Sequence, residues 1–514
     1  MKESRTIKSI KNAKIALVFY FLNLVLSFIS RKVFIDYLGA EILGLNTTVV
    51  NLLSFLNLAE LGIGSAIAYT LYKPLSTKST NEINEIVSIQ GWLYRVIAYI
   101  VIVAACILMC FFPLIFEKTE LPLWYAFSTF IVLLISSLLG YFTNYKQIVL
   151  TANQKEYKVI FCVQGIKVVK VIFQVIAISY FDNGYIYWLL IECSAAFIVA
   201  YVLNIIVKKE YPWLQTNPKL GKSVRNKYPE IIIKTKQLFL HKIAGFVLGQ
   251  TSPLIIYAYS SLTLVAVYGN YLLIVTGISV FINSLFSSMT AGVGNLVAEC
   301  NSVKVQSVFW ELYSFRIWIS SVVCFGVYEL SASFVSLWLG HEYVLSTIPF
   351  VLIVVYAFIS LTRIVDIFLA AYGLYQDIWA PVAEATLNLG LSILLGYYYG
   401  LSGILSGVIV SLFIIVLIWK PYFLFRYGFK ESSKKYWLNY LKYIFLILLS
   451  FLFSIMIKNI VVDIDPEISY LFWIKYAVQI ILIYMCISGL FFYVGSMGMR
   501  QFANRLILFF RSKY

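Results

Sequence analysis

The sequence predicts an all-α polytopic membrane protein. Three observations carry this reading: an extreme apolar content, apolar stretches long enough to cross a bilayer, and basic residues gathered on alternate connections. Hydrophobic residues fill 61% of the 514 positions and charged residues only 12%, far outside the range of soluble globular chains. A hydrocarbon core about 30 Å thick needs about 20 apolar residues per helical crossing, and about fourteen stretches meet that requirement.

The first stretch, 14–38, is too long for the apolar region of a cleavable signal and carries Arg31 and Lys32 where a small-residue cleavage site would stand. It is expected to remain as a permanent span. Stretches at 43–71, 86–115, 122–149, 159–181 and 185–207 follow, with Glu60, Arg95, Lys167, Lys170 and Glu192 set inside them. The second half offers 229–257, 263–294, 306–339, 344–372, 378–399 and 403–424, and finally 437–457 and 469–499.

Lys and Arg beside spans are retained on the cytoplasmic side. With the N-terminus inside, the inner connections, tails and flanking turns hold 28 Lys and Arg, whereas the outer connections hold only Lys118 and Lys458. Both termini and the long connection "VKKEYPWLQTNPKLGKSVRNKYPE" are therefore expected to be cytoplasmic. The net charge of +16 follows from this bias together with attraction to anionic lipid headgroups. No segment resembles a nucleic-acid-binding module.

Several chemistries find no support. Cys106, Cys110, Cys162, Cys193, Cys300, Cys324 and Cys486 all fall in apolar stretches without metal-ligand spacing, and read as small packing residues. There is no P-loop, GxSxG elbow or paired-carboxylate motif, so neither ATP-driven transport nor hydrolysis by this chain is indicated. No cofactor or metal is expected.

A weak internal repeat organises the spans. "ANQKEYKVI" before the fifth span recurs as "YGLYQDIWA" before the eleventh, Gln164 finds a counterpart in Glu384, and "YFDNGY" matches "YYGLSGI", all at an offset of about 220 residues. Six spans per repeat is an even number, which implies two parallel copies. The expected organisation is a six-helix lobe over 1–210, a second over 222–430, and two further helices with a cytoplasmic tail over 431–514.

Two such lobes are a transporter's architecture, and ionisable residues inside the spans then mark the path. The first lobe sets Arg31, Lys32, Arg95, Lys167 and Lys170 against Glu60 and Glu192. The second sets Lys242, Arg316 and Arg363 against Glu311, Glu329, Asp366 and Glu384. A cavity with one basic wall suits a substrate with an anionic head. On a helix, Gln164, Lys167, Lys170 and Gln174 fall within an arc of roughly 120°. Lys170 lies near the bilayer midplane, too deep for its ammonium to reach the headgroups. Two readings stand side by side: a buried pair between Lys170 and Glu192, and a wet, substrate-facing stripe. Glu60 and Arg95 form an ion pair or serve in coupling. Arg363 and Asp366, spaced i, i+3 on one helix, account for each other.

The segment "LAELGIGSAIAY" (Leu58 to Tyr69) after "FIDYLGAEILGLN", with "FLHKIAGFVLGQTSPLIIYAYSSLTLVAVYGNYLLI" opening the second half, resembles the Wzx-type polysaccharide-unit flippases. These belong to the multidrug/oligosaccharidyl-lipid/polysaccharide exporter superfamily. The resemblance covers about the first 430 residues, and the last two spans match by helix count. It implies a protein of the bacterial inner membrane that moves undecaprenyl-pyrophosphate-linked oligosaccharides between leaflets by alternating access, beside glycosyltransferases and a polymerase. By resemblance, the pyrophosphate falls to Arg31, Lys32, Lys167 and Lys170. Where many relatives carry an acidic residue in the seventh helix, this chain has Thr251-Ser252-Pro253. The alternatives are a cation-coupled multidrug exporter of the same superfamily, which suits an anionic cavity, and a membrane-embedded glycosyltransferase or polymerase, for which the outer connections are short.

Overall fold

The computed structural model describes residues 5–511 except Leu61, Ser288, Cys300, Tyr375 and Ile378. Cys300, the extreme ends of the chain and the side chain of Lys242 lie outside the described residues. Every regular element among the described residues is helical, as the apolar periodicity requires. In lipid no water is available to an unpaired peptide group, so each crossing must satisfy its backbone internally.

The chain divides into two compact units, residues 1–266 and 267–514. The first contains α1 (Arg5–Leu38), α2 (Ala40–Leu56), α3 (Ile63–Thr77), α4 (Thr80–Cys110), α5 (Trp124–Phe142), α6 (Glu156–Tyr180), α7 (Gly184–Glu210) and α8 (Pro229–Tyr259). Helix α9 (Leu262–Ser287) begins there and continues into the second unit. The second unit then adds α10 (Ser302–Leu339), α11 (Thr347–Leu361), α12 (Trp379–Leu412), α13 (Lys434–Val461), α14 (Tyr470–Gly495) and α15 (Met497–Arg511).

Among the described residues eleven helical segments are long and apolar enough to cross a membrane. Two local features account for part of the difference from the about fourteen expected crossings. The second expected span is broken: α2 ends at Leu56, a tight 3-10 turn covers Asn57–Glu60, and α3 starts after Gly62. Gly62 has φ +97°, and a Cβ there would stand 3.0 Å from both the Leu238 Cβ and the Thr235 carbonyl of α8. Only glycine accommodates both demands. Helix α8 opens with a charged run that includes Glu230, Lys234 and Lys236, and side chains in its middle lie outside the described residues. Finally, the apolar run Trp379–Phe429 spans 51 residues as one segment but turns back at Gly400, where φ is +55°.

Contacts along that run establish the reversal. Ser392 donates to the Ile404 carbonyl at 3.0 Å and Asn388 to Ser411 at 3.5 Å, while Gly403 packs on the Leu395 backbone. Residues equidistant from a turn near Gly400 therefore meet, the signature of an antiparallel helical hairpin. Helices α6 and α7 form the same motif: Gln174 donates to the Trp188 carbonyl at 3.3 Å and Lys170 to Glu192 at 2.7 Å, pairs symmetric about Phe181. The two turns lie about 220 residues apart, the offset of the sequence repeat. Helices α1 and α6 run parallel, since Lys11 sits over Tyr157, Phe19 packs on Phe161 and Asn23 bonds Gln164, each partner rising in step.

Between helices already in lipid, apolar burial supplies little net attraction, so close packing and interhelical hydrogen bonds hold the bundle, the latter at about 0.6 kcal/mol each. In the first unit Phe34, Ile42, Ile178, Tyr185 and Leu189 form one core, and the Tyr185 hydroxyl donates to Asn46 at 2.9 Å. In the second, α10 and α14 pack through Phe325, Leu330, Tyr476, Ile480 and Tyr484, with the Phe325 and Tyr484 rings stacked at 4.1 Å. Lys458 of α13 joins Glu329 of α10 at 2.8 Å.

Candidate functional site

Helix α6 places Gln164, Lys167, Lys170 and Gln174 on one stripe, and the neighbouring elements treat each differently. Gln164 accepts a hydrogen bond from Asn23 of α1 at 3.2 Å. Lys170 donates to Glu192 Oε1 at 2.7 Å, and buried Gln174 donates to Glu192 Oε2 at 2.9 Å. Both carboxylate oxygens are thus engaged, one by a full charge. Lys167, one turn before Lys170, is exposed and makes no hydrogen bond or ion pair among the described residues.

These groups border a pocket of about 210 Å³. Lys167, Lys170 and Glu192 supply its charge, Ser136 and Asn144 its neutral polar edge, and Val163, Ile166, Ala195, Ala196 and Val199 its apolar wall. With Glu192 neutralised by Lys170, the pocket retains one uncompensated positive charge, at Lys167. The paired reading and the open-stripe reading of the two lysines are therefore both realised, one on each residue.

The remaining cations stand elsewhere. Arg31 is half-buried and donates through Nη2 to the Ala266 carbonyl at 3.1 Å. Lys32 forms an i, i+4 pair with Asp36 at 3.1 Å, its side chain 43% exposed, an arrangement worth about 0.3–0.5 kcal/mol. Neither borders the pocket beneath Lys167.

Glu60 lines a second pocket in the first unit, of about 440 Å³, with Ser54, Asn57, Gly62, Gly64, Ser65 and Phe246. No ion pair joins it to Arg95. Glu60 instead accepts a hydrogen bond from Tyr94 at 2.9 Å, and consecutive residues of α4 point about 100° apart, so turning Tyr94 toward Glu60 turns Arg95 away. Asn57 takes bonds from Ser137 at 3.1 Å and Tyr141 at 2.9 Å. Composition and span reading do not single out Asn57, Tyr94 or Tyr141. The i, i+3 spacing of Asn57 and Glu60 is the available signal, but the two tyrosines are lost among 39.

In the second unit the acids Glu311, Glu329, Asp366 and Glu384 each have a basic partner, while buried Arg316 is held by neutral groups. Arg363 lies 4.0 Å from Asp366 and 3.5 Å from Glu384, and Lys420 adds a 2.8 Å pair to Asp366. Glu311 is paired with Arg505 at 3.0 Å and Glu329 with Lys458 at 2.8 Å. Arg316 is held by Asn283 at 2.6 Å and the Leu361 carbonyl at 2.5 Å. At the depth where the first hairpin carries Lys170 and Glu192, the second carries the uncharged pair Asn388 and Ser411.

At the level of sequence the chain matches no family model and no curated protein. Solved structures are similar in fold. One described as "Lipid II flippase MurJ, inward closed conformation" is 15% identical, with 94% of this chain and 99% of that chain covered and a TM-score of 0.62. An inward-facing multidrug resistance MATE family transporter of the MOP superfamily is 11% identical, covering 82% of this chain and 99% of its own, with a TM-score of 0.58. An outward-facing one is 12% identical, with 83% and 96% covered and a TM-score of 0.51. The chain is thus an all-α polytopic membrane protein with the fold shared by the lipid II flippase and the MATE transporters.

Proposed function

We propose that the chain is a flippase carrying undecaprenyl-pyrophosphate-linked oligosaccharide units from the inner to the outer leaflet by alternating access, for O-antigen or capsule biosynthesis. It is a transporter and not an enzyme, set in the bacterial inner membrane with both termini cytoplasmic. Its partners are the glycosyltransferases that build the unit and the polymerase that consumes it.

The observation that carries this reading is the uneven neutralisation of charge. The acids Glu311, Glu329, Asp366 and Glu384 of the second unit each have a basic partner, whereas Lys167 in the first is left without an acid over a polar-edged pocket. Moving even one carboxylate-sized ion from water into hydrocarbon costs on the order of 20 kcal/mol by Born solvation. A fixed ammonium that replaces hydration offsets part of that cost, about 4 kcal/mol for one charge pair at 4 Å and intermediate polarity. Lys167 supplies the attraction and Glu192 holds Lys170 in register beside it. Arg31 is a second contact for the same head, while Lys32, tied to Asp36 at the surface, meets it only at the bilayer edge. Glu60, in its own pocket, is the group for ion coupling.

Fold similarity also favours a lipid-linked cargo over a drug. The flippase structure covers 94% of this chain and the MATE structures 82–83%, the uncovered share being about the size of segment 431–514. The test is deletion in a strain with no second flippase. Surface polysaccharide should be lost and its lipid-linked precursor should accumulate on the inner leaflet, with unchanged sensitivity to cationic dyes. An intact coat with dye hypersensitivity would identify a multidrug exporter instead.

A further inference from the structure

The first unit carries a third pocket, of about 360 Å³, where the N-terminal part of α1, the start of α6 and the end of α7 come together. Its floor is apolar, made by Ile15, Phe161 and Ile206. Lys11, Lys158 and Lys209 stand around it against one acid, Glu210. That acid is already engaged by two lysines, Lys158 and, at 2.5 Å, Lys155. Of the four ionisable side chains other than tyrosine that line the pocket, three are lysines.

The pocket's walls are fastened in place. Asn12 of α1 accepts from the Tyr157 amide at 2.8 Å and donates to the Gln154 carbonyl at 3.4 Å, while Asn153 donates to the Tyr211 hydroxyl at 2.8 Å. Phe161 is 64% exposed, and Leu17 and Val18 beside Ile15 are exposed as well, so the groove opens outward onto an apolar surface. By the charge bias this end of the three helices is the cytoplasmic one.

The geometry points to a binding site for one anionic glycerophospholipid of the inner leaflet, its phosphate among Lys11, Lys158 and Lys209 and an acyl chain along Ile15, Phe161 and Ile206. A set of ammonium groups above an apolar groove at the headgroup level matches both ends of such a lipid, but only the charge of a soluble anion and only the tail of a neutral lipid. This site is separate from the pocket under Lys167 and stands whether or not the flippase reading does.

The test uses the purified full-length protein in neutral detergent, titrated with phosphatidylglycerol or phosphatidylcholine of the same acyl chains while thermal stability is followed. Phosphatidylglycerol should stabilise and phosphatidylcholine should not, and glycerol 3-phosphate, which has the headgroup without tails, should have no effect. Lys11→Gln with Lys209→Gln should raise the half-stabilising concentration about 25-fold, each juxtamembrane lysine contributing about fivefold. Lys209→Gln alone should give about fivefold, which keeps the comparison if the double variant does not express. Lys219→Gln with Lys222→Gln, cytoplasmic lysines outside the pocket, should change nothing.

Three results would overturn the assignment. The first is equal stabilisation by the two lipids, and the second is an unchanged preference for phosphatidylglycerol in the Lys11, Lys209 variant. The third is displacement of bound phosphatidylglycerol by undecaprenyl pyrophosphate, which would make the pocket a point of substrate capture.

Discussion

Lys170 and Glu192 are joined at 2.7 Å across the turn between consecutive helices, each eleven residues from Phe181 and with side chains only 18% and 14% exposed. A pair so placed is held from both sides, because Gln174 occupies the second carboxylate oxygen. Removing Lys170 leaves Glu192 with a neutral partner in a poorly hydrated place, a penalty of about 1–3 kcal/mol. Lys170→Ala should therefore lower the amount of protein in the membrane. Adding Glu192→Ala should restore it, measured by immunoblot and by thermal unfolding of the purified variants. No recovery in the double variant would exclude the charge pair as the cause.

Lys167 has no such partner, so its charge and not its packing should matter. Lys167→Arg should keep part of the export per inserted molecule, Lys167→Ala should reduce it about tenfold or more, and Lys167→Glu should abolish it, all at near-normal abundance. The readout is surface polysaccharide normalised to membrane-inserted protein. Full export from Lys167→Ala with Lys170→Ala at normal abundance would remove the pyrophosphate role.

Topology follows from the distribution of Lys and Arg. Reporter fusions after Lys222 and at Tyr514 should report the cytoplasmic side, and one near Asp465 the outer side. A fusion at Tyr514 that reports the outside would break the even count of crossings, and the parallel repeat with it.

The broken second span gives a prediction about stability. Gly62 combines φ +97° with contacts at 3.0 Å, whereas Gly400 has φ +55° in open space. Gly400, with φ +55° and ψ −134°, lies where essentially only glycine goes, and Gly400→Ala should cost about 1–3 kcal/mol, the backbone term alone. Gly62→Ala should cost more, since Leu238 and the α8 backbone must also give way. Thermal midpoints of the two variants in detergent order them, and an inverted order would mean that the Gly62 turn relaxes freely.

Much of this architecture is legible in the sequence, for identifiable reasons. Apolar stretches and the offset between "YFDNGY" and "YYGLSGI" depend only on local sequence, and the hairpins at Phe181 and Gly400 stand at that offset. The Lys170 and Glu192 pair is legible because both ends of one hairpin are close in sequence. Interhelical partners distant in sequence are not: Gln164 with Asn23, Glu60 with Tyr94, and Glu329 with Lys458 depend on helix rotation, which span reading leaves open. The break at Gly62 is equally hidden, because it answers to α8 and not to its own neighbours.

The duplicated hairpin also bears on stoichiometry. Each copy offers a polar pair at the same depth, yet only the earlier one is ionised, its later twin being Asn388 and Ser411. A second cation without an acid, like Lys167 of the earlier hairpin, would present a second station for an anionic head and could load two cargoes per cycle. Here the asymmetry leaves one station, so binding isotherms for a lipid pyrophosphate should saturate at one equivalent per chain.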